Sequence, residues 1–327
     1  MAVKNLIDGV REAMLEEMAR DESIVLLGED VGKRGGVFRA SAGLIEAYGD
    51  QRVIDAPLGE SGIVGVGIGL ALNGMRPIAE IQFADFIHPA FNQIVSEAAK
   101  FRWRSNDAFH VPMCIRAPFG GGVHGGLYHS QSVEAFFMHV PGLKVVIPST
   151  PADAKGLLKS AIRDDDPVLY FEHKRTYRLV RGEIPDGDYT VPIGKARLVR
   201  EGKDLSIYAY GLMAYFAEQA ADALEKEGIS AEVVDLRTLL PLDREAILAS
   251  VAKTHRALIV HEANRTMGAG AEVAALIAEE ALYELDAPIR RLTGPDIPAM
   301  PFNTPQEERF MPGPETIAQA ARELCAL

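Results

Sequence analysis

A lone carboxylate at the head of an apolar, glycine-studded run is the first group in this chain suited to chemistry. Pro57-Leu58-Gly59-Glu60-Ser61-Gly62 leads into residues 63–72, which carry no charge. A strand-like segment, residues 77–82, then ends on an aromatic pair in Gln82-Phe83-Ala84-Asp85-Phe86. Beside a largely apolar wall, desolvation favours the neutral form of a carboxyl. Such a group can exchange a proton near neutral pH, as acid–base chemistry requires. The competing use of Glu60 is structural, since negative charge is favourable at a helix N-terminus and carboxylates in the first turn are common. Taken alone, Phe83 and Phe86 read as core aromatics.

The second candidate is Gly120-Gly121-Gly122-Val123-His124-Gly125-Gly126, followed by Tyr128-His129. Glycines this dense imply positive φ or close approach of the backbone to another group. A phosphate-binding loop would need a following Lys-Ser/Thr, which this segment lacks, so the loop is read as shaping the entrance of an active site. An imidazole, with an ordinary pKa of about 6.5, suits proton transfer. The alternative for His129 is a loop histidine bonded to Ser130 or Gln131, and His124 and His139 carry no assignment. Further on, Gly268-Ala269-Gly270-Ala271-Glu272 opens a helix after a strand ending in His261-Glu262. Two glycines there can cradle an anion. The third glycine of a dinucleotide fingerprint is missing, so an NAD site is rejected in favour of close packing at a subunit interface.

The elements that must position these groups alternate. Leu6, Val10, Met14 and Met18 recur every fourth residue, as in a packed helix. Short apolar runs at residues 24–27, 52–55, 77–82, 111–115, 144–147 and 168–171 read as buried strands, with helical patterns at 88–102 and 151–163. Pro151 suits a first helical turn. After a stretch of turn formers and charge, Arg181-Gly182-Glu183-Ile184-Pro185-Asp186-Gly187-Asp188, the alternation resumes. Strands are expected at 205–210, 231–234 and 257–260, and helices at 214–227, 243–252 and 270–284. Buried strands alternating with helices predict parallel sheets covered on both faces. The expected architecture is therefore α/β with two doubly wound domains, residues 1–190 and 191–327.

The chain has 327 residues, 48% of them hydrophobic, enough for two domain-sized cores. Thirty-four basic against 46 acidic side chains leave a net charge of −12, a poor match for wrapping nucleic acid or for an anionic membrane surface. Cys114 and Cys325 give no disulfide framework and no metal spacing. The first residues, from Met1, show no signal-peptide pattern, and the apolar stretches are too short for a membrane span. A cytoplasmic protein is the expectation.

Several ordered segments resemble the β subunit of the E1 component of thiamine diphosphate-dependent 2-oxo acid dehydrogenase complexes. They are Gly28-Glu29-Asp30-Val31-Gly32, Gly35-Gly36-Val37-Phe38, Pro57 to Ser61, Gln82 to Phe86, Tyr128-His129-Ser130-Gln131-Ser132 and Asp235-Leu236-Arg237-Thr238. The resemblance runs through nearly the whole chain, and residues 128–137 look most like the branched-chain (2-oxoisovalerate) type.

The resemblance implies a thiamine pyrimidine-binding-type domain followed by a transketolase C-terminal-type domain that helps dock an acyltransferase. It gives Glu60 the carboxylate role at the aminopyrimidine nitrogen N1′, Phe86 the face of that ring, and Leu58 a contact with it. Gly59 departs from the Ser, Thr or Cys that often precedes this glutamate. Gln82 is implied to reach cofactor or substrate at a strand end, Tyr128 to border the substrate, and His129 to relay protons to the substrate carbonyl or the lipoyl group. Ala161-Ile162-Arg163-Asp164-Asp165-Asp166-Pro167 resembles a loop that binds a structural potassium ion, through carbonyls of Ala161 and Asp164 and through Asp166. A solvated acidic helix end is the other reading of that loop. The Gly-Asp-Gly that holds Mg²⁺ and diphosphate in thiamine enzymes is absent. A partner α chain is therefore implied to supply it, in an α2β2 heterotetramer that acts on a lipoyl-bearing acyltransferase E2. The expected activity is decarboxylation of a branched-chain 2-oxo acid with reductive acylation of E2. A pyruvate or acetoin dehydrogenase β subunit, a self-sufficient transketolase-type enzyme and a non-catalytic assembly subunit are the alternatives.

Overall fold

The computed structural model of the protein describes residues 2–327, so Met1 lies outside the described residues. They fall into two units, one holding the chain up to Phe119 together with Phe136–Ile193, the other Gly120–Ala135 and Gly194–Leu327. In the first unit, parallel strands lie in the order Val53–Asp55, Ile24–Gly28, Arg76–Glu80, Cys114–Phe119, Val168–His173, Lys144–Val146. Every residue of Ile24–Gly28, Cys114–Phe119 and Val168–His173 is buried. Burial on both faces explains why these strands read as unbroken apolar runs rather than as alternating patterns.

Helix Leu6–Arg20 turns Leu6, Val10, Met14 and Met18 inward, all fully buried. It packs on helix Pro151–Arg163, whose N-terminus is capped by Thr150 accepting from the Asp153 amide at 3.1 Å. Lys155 and Lys159 bury their stems in this seam and end on the Glu16 carboxylate at 2.5 and 2.7 Å.

Two elements differ from expectation. The strand expected at 111–115 is Cys114–Phe119. Arg116 hides its continuation in the sequence, because a charge in a central strand argues against burial. The structure neutralises that charge across neighbouring strands. Arg116 donates to Glu80 at 2.5 Å and to both oxygens of Glu172 at 2.6 and 2.8 Å, while Tyr177 donates to Glu172 at 2.6 Å. The stretch 88–102 is helical as expected but not one regular α-helix: a π turn at Gln93–Glu97 lies between 3₁₀ turns at His88–Ala90 and Ala98–Lys100, and an α turn follows at Phe101–Arg104. Ala90, Ile94 and Ala98, four residues apart, are among the buried positions of this stretch.

In the second unit, Arg290–Gly294, Ala257–Asn264, Leu205–Ala209 and Ala231–Asp235 run parallel in that order, and Arg197–Arg200 pairs antiparallel at the edge. Helices Leu212–Glu225 and Pro314–Cys325 contribute Phe216, Ala217, Ala220, Ile317, Ala321 and Leu324 to its core.

The first unit runs to Ile193, and the segment Gly120–Ala135 groups with the second. Residues 181–193 stay with the first unit because Arg181–Ile184 pairs antiparallel with Ala2–Asn5 and the Val191 amide donates to Gly156 at 3.1 Å. Gly120–Ala135 groups with the second unit through side chains from distant positions, which local patterning cannot reveal.

Candidate functional site

In the first unit the predicted cofactor residues, together with Glu29, leave one edge of the sheet. Glu29 follows Ile24–Gly28, Leu58 and Glu60 follow Val53–Asp55, and Gln82 and Phe86 follow Arg76–Glu80. These strands are neighbours and parallel, so all three loops emerge at carboxyl ends, where ligands gather in open parallel sheets. Glu60 is the first residue of helix Glu60–Leu72 and is half-buried. It lies at a helix N-terminus and beside the carboxyl ends of the strands.

Glu29, to which the sequence reasoning gave no role, adds what a helix cap does not require. Burial, and then the negative charge of Glu60, push the Glu29 carboxyl above its ordinary value, while the Gly59 amide pulls it down by donating to it. A carboxyl raised by burial and by a neighbouring negative charge holds a proton more readily than a free one. The available signal was an acidic residue directly after a buried strand that ends in glycine.

The aromatic groups form a chain. Phe86 meets Phe83 edge-to-face at 5.8 Å between ring centres, Phe83 meets Phe38 at 5.4 Å, and Phe38 meets Tyr177 at 5.2 Å. Phe83 and Phe86 are half-buried, and Leu58 is 84% exposed. An aminopyrimidine fits what these residues offer: a carboxylate for a ring nitrogen, with an aromatic face and an uncovered aliphatic side chain for the ring itself. Gln82, also half-buried, stands between the strand end and this aromatic group in sequence.

Tyr128 and His129 belong to the second unit. Tyr128 is 63% exposed and ends a single 3₁₀ turn, Gly126–Tyr128, and His129 is half-buried. Within this segment the Ser130 hydroxyl oxygen accepts from the Gly125 amide at 3.1 Å, and the Gln131 side-chain amide donates to the Leu127 carbonyl at 3.0 Å. The glycine pair at 268 and 270 packs within its own unit. A Cβ at Gly270 would stand 2.8 Å from the His261 ring, and one at Gly268 would stand 2.7 Å from it. The glycines serve close approach to His261, whose burial pushes its pKa down to about 4 and keeps it neutral.

At the acidic loop, Ala161 lies in the last turn of helix Pro151–Arg163. The Lys144 ammonium lies 2.7 Å from both oxygens of Asp164 and 3.4 Å from Asp166, and Arg102 donates to Asp166 at 2.9 Å. The Asp164 carbonyl accepts from Arg76 at 3.0 Å. Side-chain cations thus already balance these carboxylates. Among the described residues no group of three or more His, Cys, Asp or Glu side chains is placed to hold a metal, and no helix is long and apolar enough to cross a membrane.

Two transketolase-type domains define the class. The transketolase pyrimidine binding domain matches residues 4–180, and the transketolase C-terminal domain matches residues 194–317. A solved structure described as a split-gene transketolase, an inactive β4 tetramer, shares the fold with a TM-score of 0.81 at 24% identity over 98% of each chain. The 2-oxoisovalerate dehydrogenase subunit beta of Bacillus subtilis (strain 168) is 60% identical over 99% of both chains. The 2-oxoisovalerate dehydrogenase subunit beta 2 of Arabidopsis thaliana is 50% identical over 97% of this chain and 88% of its own. The pyruvate dehydrogenase E1 component subunit beta of Bacillus subtilis (strain 168) is 48% identical over 99% of both chains. The chain belongs to the family of β subunits of the 2-oxo acid dehydrogenase E1 components, thiamine diphosphate-dependent enzymes built on transketolase-type domains.

Proposed function

We propose that this chain, with an α chain in an α2β2 heterotetramer, decarboxylates a branched-chain 2-oxo acid of the 2-oxoisovalerate kind and passes the acyl group to the lipoyl group of an acyltransferase E2. The observation that carries the substrate choice is the 60% identity, end to end, with a relative named for 2-oxoisovalerate. Thiamine diphosphate supplies the carbanion chemistry when bound, with Mg²⁺ held mainly by the α chain. In this reading Glu60 holds a proton at the pyrimidine nitrogen, Leu58 and Phe86 face the ring, and Gln82 orients cofactor or substrate. Tyr128 borders the substrate side chain, and His129 moves protons at the substrate carbonyl or the lipoyl sulfur. The proposed location is the cytoplasm, which fractionation of native cells would check.

Affinity purification of the tagged chain from its native cells, with mass spectrometry of what accompanies it, tests the assembly. A roughly equal amount of a chain carrying Gly-Asp-Gly, together with a lipoyl acyltransferase, is expected; recovery of the chain alone as a homodimer would refute the assembly. The recovered enzyme should then prefer branched-chain 2-oxo acids over pyruvate by about tenfold or more in kcat/KM, since each methylene in an apolar pocket is worth roughly 1–3 kcal/mol. Equal or better use of pyruvate would overturn the substrate choice and leave the family intact.

A potassium ion held by the carbonyls of Ala161 and Asp164 and by Asp166 is also proposed. Because Lys144 and Arg102 meet the same carboxylates, the ion is expected to add little stability. Exchanging potassium for tetramethylammonium at constant ionic strength should move the melting temperature by no more than about 2 °C, as mass action requires for a weakly bound ion. A drop well beyond that would make the ion a main support of this loop.

A further inference from the structure

The segment that carries Tyr128 and His129 is gripped on both sides of the histidine by two carboxylates from far along the chain. Glu262, near the end of strand Ala257–Asn264 and 3% exposed, accepts through Oε1 from the Gly121 amide and the Ser132 hydroxyl, both at 2.8 Å. One oxygen therefore ties the backbone eight residues before His129 to a side chain three residues after it. Glu307, in helix Thr304–Phe310 and 2% exposed, accepts through Oε1 from the Gly122 amide at 2.8 Å and the His124 amide at 3.2 Å. Its Oε2 lies 2.6 Å from His124 Nδ1.

The backbone between these anchors is one that needs anchoring. Gly120, Gly122 and Gly126 have φ of +89°, +76° and +58°, and His124, which has a Cβ, stands at +56°. A non-glycine residue in the left-handed region persists only where its surroundings over-determine it. Glu307 does this by binding both the His124 amide and its ring. Packing closes the same side: a Cβ at Gly121 would come within 2.6 Å of Met300 Cε, and one at Gly126 within 2.9 Å of Phe302 Cδ2. Carboxylates suit the task because a single oxygen can accept two bonds, and bonds to an ionised acceptor are roughly twice as strong as neutral ones.

We infer that Glu262 and Glu307 are positioning residues, which set the backbone from which His129 works. The inference rests on the reading of His129 as the group that moves protons. It goes beyond that reading by making two residues of the C-terminal unit determine the rate. A displacement of about 1 Å in a reacting group can cost on the order of a hundredfold in rate, and loss of either carboxylate frees amides whose burial requires a partner.

The test uses the enzyme assembled with its α chain and compares Glu307→Ala, Glu307→Gln, Glu262→Gln, Ser132→Ala and His129→Ala. Three properties are read: kcat and KM for oxo-acid decarboxylation, backbone hydrogen exchange, and melting temperature. Glu307→Ala is expected to lose about tenfold to a hundredfold in kcat, with KM within about twofold of wild type. Faster exchange should be confined to residues 120–132. Glu307→Gln keeps an acceptor for the two amides and should recover most of kcat. If Glu307→Ala does not fold, Glu262→Gln, which weakens two bonds, and Ser132→Ala, which removes one, should show the same pattern on a smaller scale. A near-wild-type kcat in variants whose loop exchanges faster, or an unchanged exchange pattern, would overturn the inference. So would losses that spread evenly over kcat, KM and global protection, which would mark a structural role alone. His129→Ala separates the two layers. If it is inactive while Glu307→Ala is fully active, only the inference falls; if it turns over like wild type, the reading of His129 falls and takes the inference with it.

Discussion

Glu60→Ala should lower kcat for oxo-acid decarboxylation by about 10²- to 10⁴-fold, the usual contribution of a positioned acid–base group, while the variant still assembles with its α chain. The structure separates the two effects. As the first residue of helix Glu60–Leu72, Glu60 contributes a favourable charge worth about 0.3–1 kcal/mol. The helix is held mainly by Ile63, Val64, Ile68 and Ala71, all buried, so that loss cannot unseat it. A hundredfold loss of rate corresponds to about 2.7 kcal/mol of barrier, well above the charge term. Glu60→Gln keeps the shape of the side chain and removes its proton exchange, and it should be nearly as inactive as the alanine variant. Wild-type turnover by Glu60→Ala in an assembled enzyme would remove Glu60 from the cofactor's chemistry.

The largest stability effect is expected at Arg116. Arg116→Met leaves Glu80 and Glu172 buried without their cation, and breaking a buried charge network from one side costs about 3–5 kcal/mol. The loss should depend on pH. Burial already holds the Glu80 carboxyl above its ordinary value, and the charge of Glu172 raises it further, with Arg116 acting to lower it. A carboxyl raised in the folded state favours folding when protonated, and that favour disappears as pH rises from the unfolded to the folded pKa. Removing Arg116 removes the one lowering influence among these and extends that window upward. The gap in urea midpoint between wild type and Arg116→Met should therefore widen from mildly acidic to neutral pH. Replacing Glu80 and Glu172 by leucine in the same variant should restore a large part of the loss, because a well-packed apolar replacement of a buried ion network is often neutral or better. A midpoint that is insensitive to Arg116→Met at every pH would show that the network contributes nothing net.

The periodicities that were easiest to read were those in which one local rule dominates. The four-residue spacing of Leu6, Val10, Met14 and Met18 marked a helix, and Pro151 after Thr150 marked the start of another, because both signals lie within a few residues. Where a distant group overrides the local preference, the pattern misled. Arg116 continues a central strand only because Glu80 and Glu172 come from neighbouring strands. The helical pattern over 88–102 does correspond to a helical stretch, but a π turn between 3₁₀ turns breaks its regularity. The candidate site divides the same way. Glu60, Leu58, Gln82 and Phe86 were visible as a motif at strand ends. Glu29 became a partner of Glu60 only once two parallel strands placed their loops together.

The α/β class and the alternation that builds parallel sheets are legible in the sequence because they follow from residue types and short spacings, and the half-site without Gly-Asp-Gly is legible through its resemblance to the E1 β subunits. Which groups meet over long separations is set by the tertiary fold. It joined Gly121 and Ser132 to Glu262, and Gly122 and His124 to Glu307. It set the glycines at 268 and 270 against the His261 ring. It also assigned Gly120–Ala135 to the second unit although that segment lies within the first half of the chain. The reason is physical. Local propensity is set by neighbours within a turn or two, whereas a buried amide or carboxylate must be satisfied by whichever partner the fold brings within about 3 Å, however far away it lies in sequence.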